Sequence, residues 1–392
     1  MSNQAVTSEP KASRRAHVLL DGAYGAANLG DNAIAYCMSQ FLIRNNVDVT
    51  ISCNYPEYIR NTMGIESVPA LNFRSLDIGI LRDVRKYDAV VVGGGQQLQE
   101  FRIPNPFIGM FARVCQMARS AHNHRVPFVA WAVGMDWPLS RLGGFLARRY
   151  LGDRNATLIF RDGKSYERGK LLLHGRDCRI TQSTDAAFML STLADQSLIA
   201  NLGKYGPTNK KRLLLCASVL ENYDGAVGRL VEICREAAAQ GYEILGWHSE
   251  IRPNYDLRVR EMADWDSIPG FRWLPPEPID TNEVAALIRS SSIVIATRMH
   301  PAIIAVSQGV AAYGIATNGK METVFEELKM PYSHVSKLSG LMFSAIASRE
   351  FSPSFAMAAQ FGQEAERGGR QVLAAIHRGW ISASSLKRKC SA

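Results

Sequence analysis

Short apolar runs alternate with amphipathic stretches along the chain. In the first half these runs lie at residues 17–20, 47–53, 88–93, 127–134 and 156–160, and each ends in turn-forming or charged residues. Apolar runs of this length, separated by helical stretches, are typical of a parallel sheet covered by helices. The first half is therefore predicted to be an α/β unit, with its first helix over residues 31–44.

The same alternation begins again after a polar segment rich in helix-breaking residues at 203–212, which we interpret as an interdomain linker. Strands are predicted at 212–218, 242–246, 292–296 and 311–315, with a helix at 227–240. Two open α/β sheets in tandem place a cleft between their strand ends. The fold class predicted from the pattern is α/β, with two Rossmann-like units facing each other across this cleft.

Four segments follow from the pattern. Residues 1–15 are predicted to be a basic flexible tail, 16–203 the N-terminal domain and 204–352 the C-terminal domain. Residues 353–392 are predicted to form a helix that packs back on the body, followed by a basic tail. An apolar stripe supports this helix: Val372, Leu373, Ile376, Trp380 and Ile381.

Composition is that of an ordinary globular protein, with 392 residues and 47% hydrophobic content, enough for two domains. No signal peptide is apparent, and no apolar stretch approaches the roughly 18 residues that would cross a bilayer. We therefore expect a cytoplasmic protein. The seven cysteines are scattered without metal-ligand spacing, so they are interpreted as reduced, and no metal site is predicted.

The net charge of +9 is concentrated at the ends. Six basic residues and no acid lie in residues 367–392, and the N-terminal tail is also basic. A nearly neutral body does not favour a nucleic-acid groove. The tails are interpreted either as solvated ends without a partner or as segments attracted to an anionic inner-membrane surface.

Candidate chemistry is concentrated after the run at 293–296. Thr297-Arg298-Met299-His300-Pro301 places a cation and an imidazole at a strand end and helix start, and Lys320 follows the next run. Histidine transfers protons near neutral pH, and arginine binds carboxylate or phosphate with two N–H groups. This pairing indicates acid/base catalysis on an anion. Taken alone, His300 is also consistent with a helix cap.

A glycine-rich element at residues 21–31 follows the first strand, and it contains Gly25, Asn28 and Asp31. Its backbone could approach an anion at a helix N-terminus, or it could be a tight turn with Asp31 as N-cap. The triple glycine that includes Gly94 and Gly95 allows the same two interpretations.

Three further residues are candidates near the cleft. Arg161 follows the fifth strand and either reaches the cleft or forms a structural ion pair. Asp185 is interpreted as structural. His248, in the second domain, is a second possible cleft imidazole.

Taken together, these motifs resemble the polysaccharide pyruvyl transferases over about residues 17–335. The resemblance rests on six motifs in order: Gly22-x-Tyr24-Gly25-x-x-Asn28-Leu29-Gly30-Asp31, Val90-Val91-Val92-Gly93-Gly94-Gly95, Arg161-Asp162-x-x-Ser165, Thr184-Asp185-x-Ala187, Thr297-Arg298-x-His300 and Gly319-Lys320. Pro301 departs from the family, in which a small residue is more usual. The basic tails also lie outside the family pattern.

The resemblance implies a GT-B-like fold and phosphoenolpyruvate as a co-substrate, with no separate cofactor. Pyruvyl transfer to sugar hydroxyls would form a cyclic ketal and release phosphate. Arg161, Arg298 and Lys320 would bind the donor, and His300 would be the general acid/base. We add Asp31 as a second catalytic candidate. Gly25, Asn28, Gly94, Gly95 and His248 are candidates to line the cleft.

The acceptor implied is a lipid-linked or nucleotide-linked saccharide, a precursor of a cell-surface polysaccharide. The N-terminal domain would bind it, and the C-terminal domain would bind the donor. Two other functions remain open on this scaffold: a nucleotide-sugar glycosyltransferase and a non-catalytic sugar-binding protein. The grouping of three cations around an imidazole argues against the second, because a binding protein needs no proton transfer.

Overall fold

The computed structural model describes most of the chain. The described ranges are 14–25, 28–71, 78–100, 109–135, 139–194, 211–218, 220, 223, 225–251, 256–276, 280–348 and 355–390. The tail predicted at residues 1–15 and the linker predicted at 203–212 lie largely outside these ranges.

One parallel sheet contains the strands of the first half. Within the described residues its strands are Ala16–Asp21 (β1), Val47–Cys53 (β2), Ser67–Pro69 (β3), Ala89–Gly93 (β4), Phe128–Val133 (β5), Ala156–Phe160 (β6) and Arg179–Gln182 (β7). Their order in the sheet is β3-β2-β1-β4-β5-β6-β7. The central strands are apolar on both faces and fully buried, as expected for a sheet covered by helices on both sides.

A second parallel sheet contains the strands of the other half. In the described ranges these are Arg212–Cys216 (β8), Glu243–Trp247 (β9), Arg272–Trp273 (β10), Ile293–Ala296 (β11), Ala311–Ala316 (β12) and Tyr332–His334 (β13). The order is β10-β9-β8-β11-β12-β13. Both predicted sheets are confirmed. The strands that the apolar pattern did not predict are the short edge strands β3, β7, β10 and β13, which have too few buried residues to give a clear run.

Helices cover both sheets. Those in the described ranges are Leu29–Arg44 (α1), Pro56–Met63 (α2), Gly79–Asp83 (α3), Met110–Asn123 (α4), Arg141–Tyr150 (α5), Gly163–Leu172 (α6), Leu190–Leu193 (α7), Ala226–Ala239 (α8), Thr281–Arg289 (α9), Met299–Ser307 (α10), Gly319–Glu327 (α11), Phe343–Ala347 (α12) and Phe355–Cys390 (α13). None of these is long and apolar enough to span a lipid bilayer.

The two halves share one apolar core. Phe41 of α1, Ile303 of α10 and Val372 of α13 belong to a single buried cluster that reaches one face of each sheet. Separate clusters fill the opposite face of the first sheet and of the second. The shared cluster makes the halves pack as one body at this junction.

Helix α13 contacts β5 and α1 of the first half and α10 of the second half. Gly368 and Gly369 permit this approach. A Cβ on Gly368 would lie 2.5 Å from Ser183 Oγ, and one on Gly369 would lie 2.5 Å from Phe41 Cε1. The small residues therefore let the C-terminal helix lie close to α1 and to the end of the first sheet.

Polar contacts also cross between the halves. The Leu29 N–H donates to Ser249 O at 2.9 Å, beside an antiparallel bridge between Asn28 and Glu250. A second contact joins α6 of the first half to α11 of the second half, where Lys164 Nζ donates to Thr323 Oγ1 at 2.7 Å. These contacts hold the carboxyl ends of the two sheets opposite each other.

Each sheet reverses its strand order once. The reversal lies between β1 and β4 in the first sheet and between β8 and β11 in the second. Parallel α/β sheets bind ligands at the carboxyl side of such a point, because the connecting segments diverge there and leave a crevice. The two crevices face each other and define the candidate site.

Candidate functional site

A cavity of about 870 Å³ lies between the carboxyl ends of the two sheets. Segments that follow β1 and β4 line it from one side, and segments that follow β8, β11 and β12 line it from the other. The lining residues that carry the argument are Asn28, Gly30, Asp31, Gly95, Gln96, Ser218, Thr297, Arg298, His300 and Lys320. This size falls in the range that holds a small-molecule ligand.

Three helices that follow β1, β11 and β12, namely α1, α10 and α11, contribute first-turn residues to the lining of this cavity, and Met110 at the start of α4 lines it too. Asn28 caps α1 by accepting from the N–H groups of Gly30 and Asp31 at 2.9 and 3.4 Å. No side chain caps α10. Converging helix N-termini favour an anionic ligand, because each exposes backbone N–H groups and a partial positive charge.

The cap residues differ in part from the sequence-based expectations. Asn28 caps α1 where Asp31 was considered, and α1 begins at Leu29 rather than at 31. Arg298, not His300, occupies the N-cap position of α10. Both Asp31 and His300 therefore lie inside the first helical turns, with their side chains at the cavity.

Gly30 makes room for His300 across the junction. A Cβ on Gly30 would lie 2.0 Å from His300 Nδ1 and 2.4 Å from its Cγ. The imidazole of the second half thus packs directly on the first turn of α1. Gly30 was noted only as part of a glycine-rich motif, since no local pattern reveals which distant side chain occupies the space beside it.

The other edge of the His300 ring faces a buried carboxylate. His300 Nε2 lies 3.9 Å from Asp185 Oδ2, and within the described part of the chain it has no hydrogen-bond partner. Burial lowers the pKa of His300 to about 4, and although Asp185 raises it, the charges of Arg161, Lys320 and Arg298 lower it further. The imidazole is therefore neutral at neutral pH and ready to accept a proton.

Arg161 lies behind the cavity wall, and among the described residues it is not part of the lining. Its side chain is 3% exposed. Nη1 donates to Asp185 Oδ2 at 3.2 Å and Nη2 donates to Gln96 Oε1 at 2.8 Å. The structure thus places Arg161 one layer from a ligand, where it orients Asp185 and Gln96.

This buried layer contains three nitrogens without a hydrogen-bond partner among the described residues: Arg161 Nε, Gln96 Nε2 and His300 Nε2. Gln96 also lines the cavity, so its side chain links Arg161 to the cavity. Asp185, in the Thr184-Asp185 motif, was interpreted as structural, since no sequence spacing shows that its carboxylate lies beside His300 and Arg161.

Arg298 lines the cavity but shares its charge with buried acids. Its Nε and Nη2 donate to Asp256 Oδ1 at 3.1 and 2.6 Å, and Nη2 lies 3.5 Å from Glu250 Oε2. Its side chain remains 36% exposed. Neither acid was considered from the sequence. Asp256 and Glu250 hold Arg298 at the rim of the site and balance much of its positive charge.

Lys320 lies in the first turn of α11, where Asn318 caps the helix by accepting from the Met321 N–H at 3.1 Å. Its side chain lines the cavity. Ser218 and Thr297 line the wall nearby, and their hydroxyl oxygens are 2.7 Å apart. Of the site residues predicted from the sequence, six line this one cavity: His300, Arg298, Lys320, Asn28, Asp31 and Gly95.

Three predicted lining residues lie elsewhere: among the described residues, Gly25, Gly94 and His248 do not line the cavity. The Gly25 N–H donates to Asn32 Oδ1 at 3.0 Å, and a Cβ on Gly94 would lie 2.2 Å from Ile34 Cγ2. Both glycines serve packing near α1. His248 stacks on Trp273 with ring centroids 4.5 Å apart, so its imidazole is part of the second domain's interior.

No group of three or more His, Cys, Asp or Glu side chains in the described ranges is arranged to hold a metal ion.

The chain matches the family model of the polysaccharide pyruvyl transferases over residues 28–319. This span includes residues on both sides of the cavity; of the lining residues, Ala23, Lys320 and Met321 lie outside it. No curated protein matches the chain in sequence.

Solved structures with low sequence identity share the fold. A UDP-GlcNAc 2-epimerase of Neisseria meningitidis bound to UDP-GlcNAc is similar at 13% identity with a TM-score of 0.61, over 91% of this chain and 99% of that one. A UDP-GlcNAc 2-epimerase of Methanocaldococcus jannaschii has 13% identity and a TM-score of 0.59, with coverage of 91% and 99%. The glycosyltransferase SnogD of Streptomyces nogalater has 15% identity and a TM-score of 0.51, with coverage of 92% and 100%. The fold is therefore GT-B-like, as the sequence predicted.

Proposed function

Because this chain belongs to the polysaccharide pyruvyl transferase family, we propose that its cavity transfers the pyruvyl group of phosphoenolpyruvate to sugar hydroxyls. The observation that carries this proposal is the meeting of His300 and Lys320 with three helix N-termini in one cavity. Phosphoenolpyruvate is a compact anion with a carboxylate and a phosphate. A site with Lys320, Arg298 and several backbone N–H donors suits such a ligand.

The donor would lie on the second-sheet side of the cavity. Lys320 and the first N–H groups of α10 and α11 would bind its anionic groups, with Arg298 at the rim. Arg298 already binds Asp256, so part of its positive charge is compensated before the donor binds. Arg161 would act through Gln96 and Asp185 rather than by contact with the donor.

His300 would carry the proton transfer. Its low pKa keeps the imidazole neutral, so it can accept the proton of an attacking sugar hydroxyl. The positive charges of Lys320 and Arg298 lower the pKa of His300, and a bound anion would offset them. The pKa would then rise, so the imidazole could hold the proton that it has accepted. His300 can then return the proton to the donor methylene, which becomes a methyl group.

The reaction needs two hydroxyl groups. The oxygen of the first forms a bond to C2 of the donor, and a proton on the methylene carbon completes this addition. The second oxygen forms another bond to C2 as the bond from C2 to the phosphate oxygen breaks, which closes the ketal. The second hydroxyl proton needs its own acceptor. Asp31, which lines the cavity opposite the second sheet, is the candidate for that acceptor.

The family implies a polysaccharide acceptor, and we propose a lipid-linked or nucleotide-linked saccharide precursor. It would enter from the first-sheet side, near Gln96 and Gln97. We also retain the proposal that the protein acts in the cytoplasm and that its basic tails approach the inner membrane surface.

Donor binding is tested by phosphate release from phosphoenolpyruvate in the presence of a panel of saccharides, with mass spectrometry of the acceptor. We expect Lys320→Met to raise the KM for phosphoenolpyruvate about a hundredfold, because a charged hydrogen bond to the donor is lost. Lys337→Met is the matched control, since Lys337 is exposed and does not line the cavity.

Two results would contradict the proposal. One is phosphate release with the same KM in both lysine variants. The other is thermal stabilisation of the protein by a nucleotide sugar but not by phosphoenolpyruvate, which would favour a glycosyltransferase.

A further inference from the structure

Large apolar side chains are exposed together on α5 and α6. Leu142 is 47% exposed, Phe145 is 64% exposed and Leu171, in α6, is 81% exposed. Leu142 and Phe145 are one helical turn apart, so they project from the same face of α5.

The two helices adjoin. Arg148 Nη1 of α5 donates to the Leu172 carbonyl at 2.7 Å, and a Cβ on Gly144 would lie 3.6 Å from Leu172 Cδ1. Leu171 precedes Leu172 in the chain, so it lies next to the contact between α5 and α6. We call Leu142, Phe145 and Leu171, with the basic residues around them, the α5–α6 surface.

Basic residues surround the apolar ones. Helix α5 contains Arg141, Arg148 and Arg149 and no acidic residue, and both Arg141 and Arg149 are exposed. On α6, Lys170 lies 3.5 Å from Glu167 and the pair is neutral. Helices α5 and α6, which carry the three apolar side chains, therefore have an excess of basic residues.

The other exposed large apolar side chains lie on different elements. They are Ile43, Tyr55, Ile78, Met262 and Met342. Single exposed apolar residues are normal on protein surfaces, whereas a group with a cationic rim indicates an interaction site.

The α5–α6 surface begins beside the cavity. Ser140 caps α5, and its hydroxyl donates to Glu100 Oε1 at 2.9 Å. Glu100 ends the described part of the segment that starts with Gln96 and Gln97, which line the cavity. A partner bound at α5 would therefore lie next to the proposed acceptor side.

We propose that the α5–α6 surface docks on an anionic phospholipid bilayer. Leu142, Phe145 and Leu171 would enter the boundary between head groups and acyl chains, while Arg141 and Arg149 would contact lipid phosphates. Apolar side chains within a cationic rim suit this partner, because a bilayer offers negative charge and an apolar layer at adjacent depths. This surface is separate from the basic tails and does not depend on the identity of the donor.

Flotation with vesicles tests the proposal. The full-length protein is mixed with phosphatidylcholine vesicles with or without phosphatidylglycerol. We expect the triple variant Leu142→Ser/Phe145→Ser/Leu171→Ser to bind the anionic vesicles at least about tenfold more weakly than the parent protein. The matched control is Ile43→Ser/Met342→Ser, which removes exposed apolar side chains elsewhere and should bind as the parent does.

A charge variant separates the two parts of the surface. Arg141→Gln/Arg149→Gln should weaken binding to anionic vesicles and leave the weak binding to neutral vesicles unchanged. Melting temperatures close to that of the parent would show that each variant folds. A protein truncated after residue 379, which keeps the α5–α6 surface but lacks the last basic residues, should still bind.

Three results would overturn the proposal. They are equal binding of the triple variant and the parent, loss of all binding on truncation alone, and no binding of the parent to either vesicle. The last would leave an acidic protein as the partner of this surface. Phosphate release from phosphoenolpyruvate is measured in parallel without vesicles, so a failure of donor use is distinguished from a failure of docking.

Discussion

His300 and His248 occupy similar positions in the sequence but different environments in the structure. Each follows a strand of the second sheet, β11 for His300 and β9 for His248, and burial lowers the pKa of each to about 4. His300 lines the cavity, lies against Gly30 and faces Asp185. His248 stacks on Trp273 and accepts a hydrogen bond from Arg260 Nε at 2.8 Å.

The difference shows that a shifted pKa does not by itself identify a catalytic group. Burial explains the shift in both residues. What distinguishes His300 is access to a cavity that also contains Lys320, together with a carboxylate that can stabilise the imidazolium formed during reaction. In His248 the ring nitrogen that could accept a proton is already occupied by an arginine.

The largest expected effect separates the two imidazoles directly. His300→Asn should lower the rate of phosphate release about 10³-fold, because the variant lacks the proton acceptor. His248→Asn should keep the rate within about threefold, as its side chain lies outside the cavity. Phosphate release at saturating phosphoenolpyruvate and acceptor measures both variants. Similar losses in the two would show that His300 has no special role.

A smaller effect is expected when His300 is displaced but retained. In Gly30→Ala the new methyl group would collide with the imidazole, so the ring must move and kcat should fall about ten- to a hundredfold. Gly228→Ala is the control, since nothing lies within 4 Å of a Cβ at that helical position. That variant should retain full activity and gain slightly in stability.

If Gly30→Ala kept the parent kcat, the contact between Gly30 and His300 would have no bearing on catalysis. A loss of activity with an unchanged KM for phosphoenolpyruvate would instead show that the ring's placement matters mainly during the chemical step.

The smallest expected effect is a shared one, on stability. The folded pKa of both imidazoles lies below the unfolded value of 6.5, so the unfolded chain binds the extra protons first as the pH falls. The free energy of unfolding should be unaffected by these groups above pH 6.5 and should decline between 6.5 and 4. Each should contribute a loss of about 2 kcal/mol at about pH 5.

Urea denaturation at about pH 7.5 and about pH 5 measures this decline. His300→Asn and His248→Asn should each reduce the difference between the two pH values by a similar amount. An unaltered difference in both variants would mean that neither imidazole is held neutral by the fold.

Local patterns in the sequence determined the sheets and the main functional groups. Arg298, His300 and Lys320 follow buried strands, and strand ends of a parallel sheet meet at one edge, so their proximity follows from chain order. Asp31 was placed correctly at the cavity for the same reason. A C-terminal helix was predicted to pack back on the body because its apolar stripe requires a partner. In the structure this helix, α13, contacts α1 and β5.

Only the tertiary structure decided how the groups pair. Asp185 lies 115 positions before His300, and Asp256 lies 42 before Arg298, so no sequence spacing relates them. The family resemblance implied that Arg161 binds the donor, while its position after a strand also allowed a structural ion pair. Its side chain instead turns toward Asp185, where a buried ion pair compensates both charges. Strand order brings these residues to the carboxyl edge of the sheets. The direction of each side chain depends on the space and charge that distant segments supply, and Gly30 supplies such space for His300.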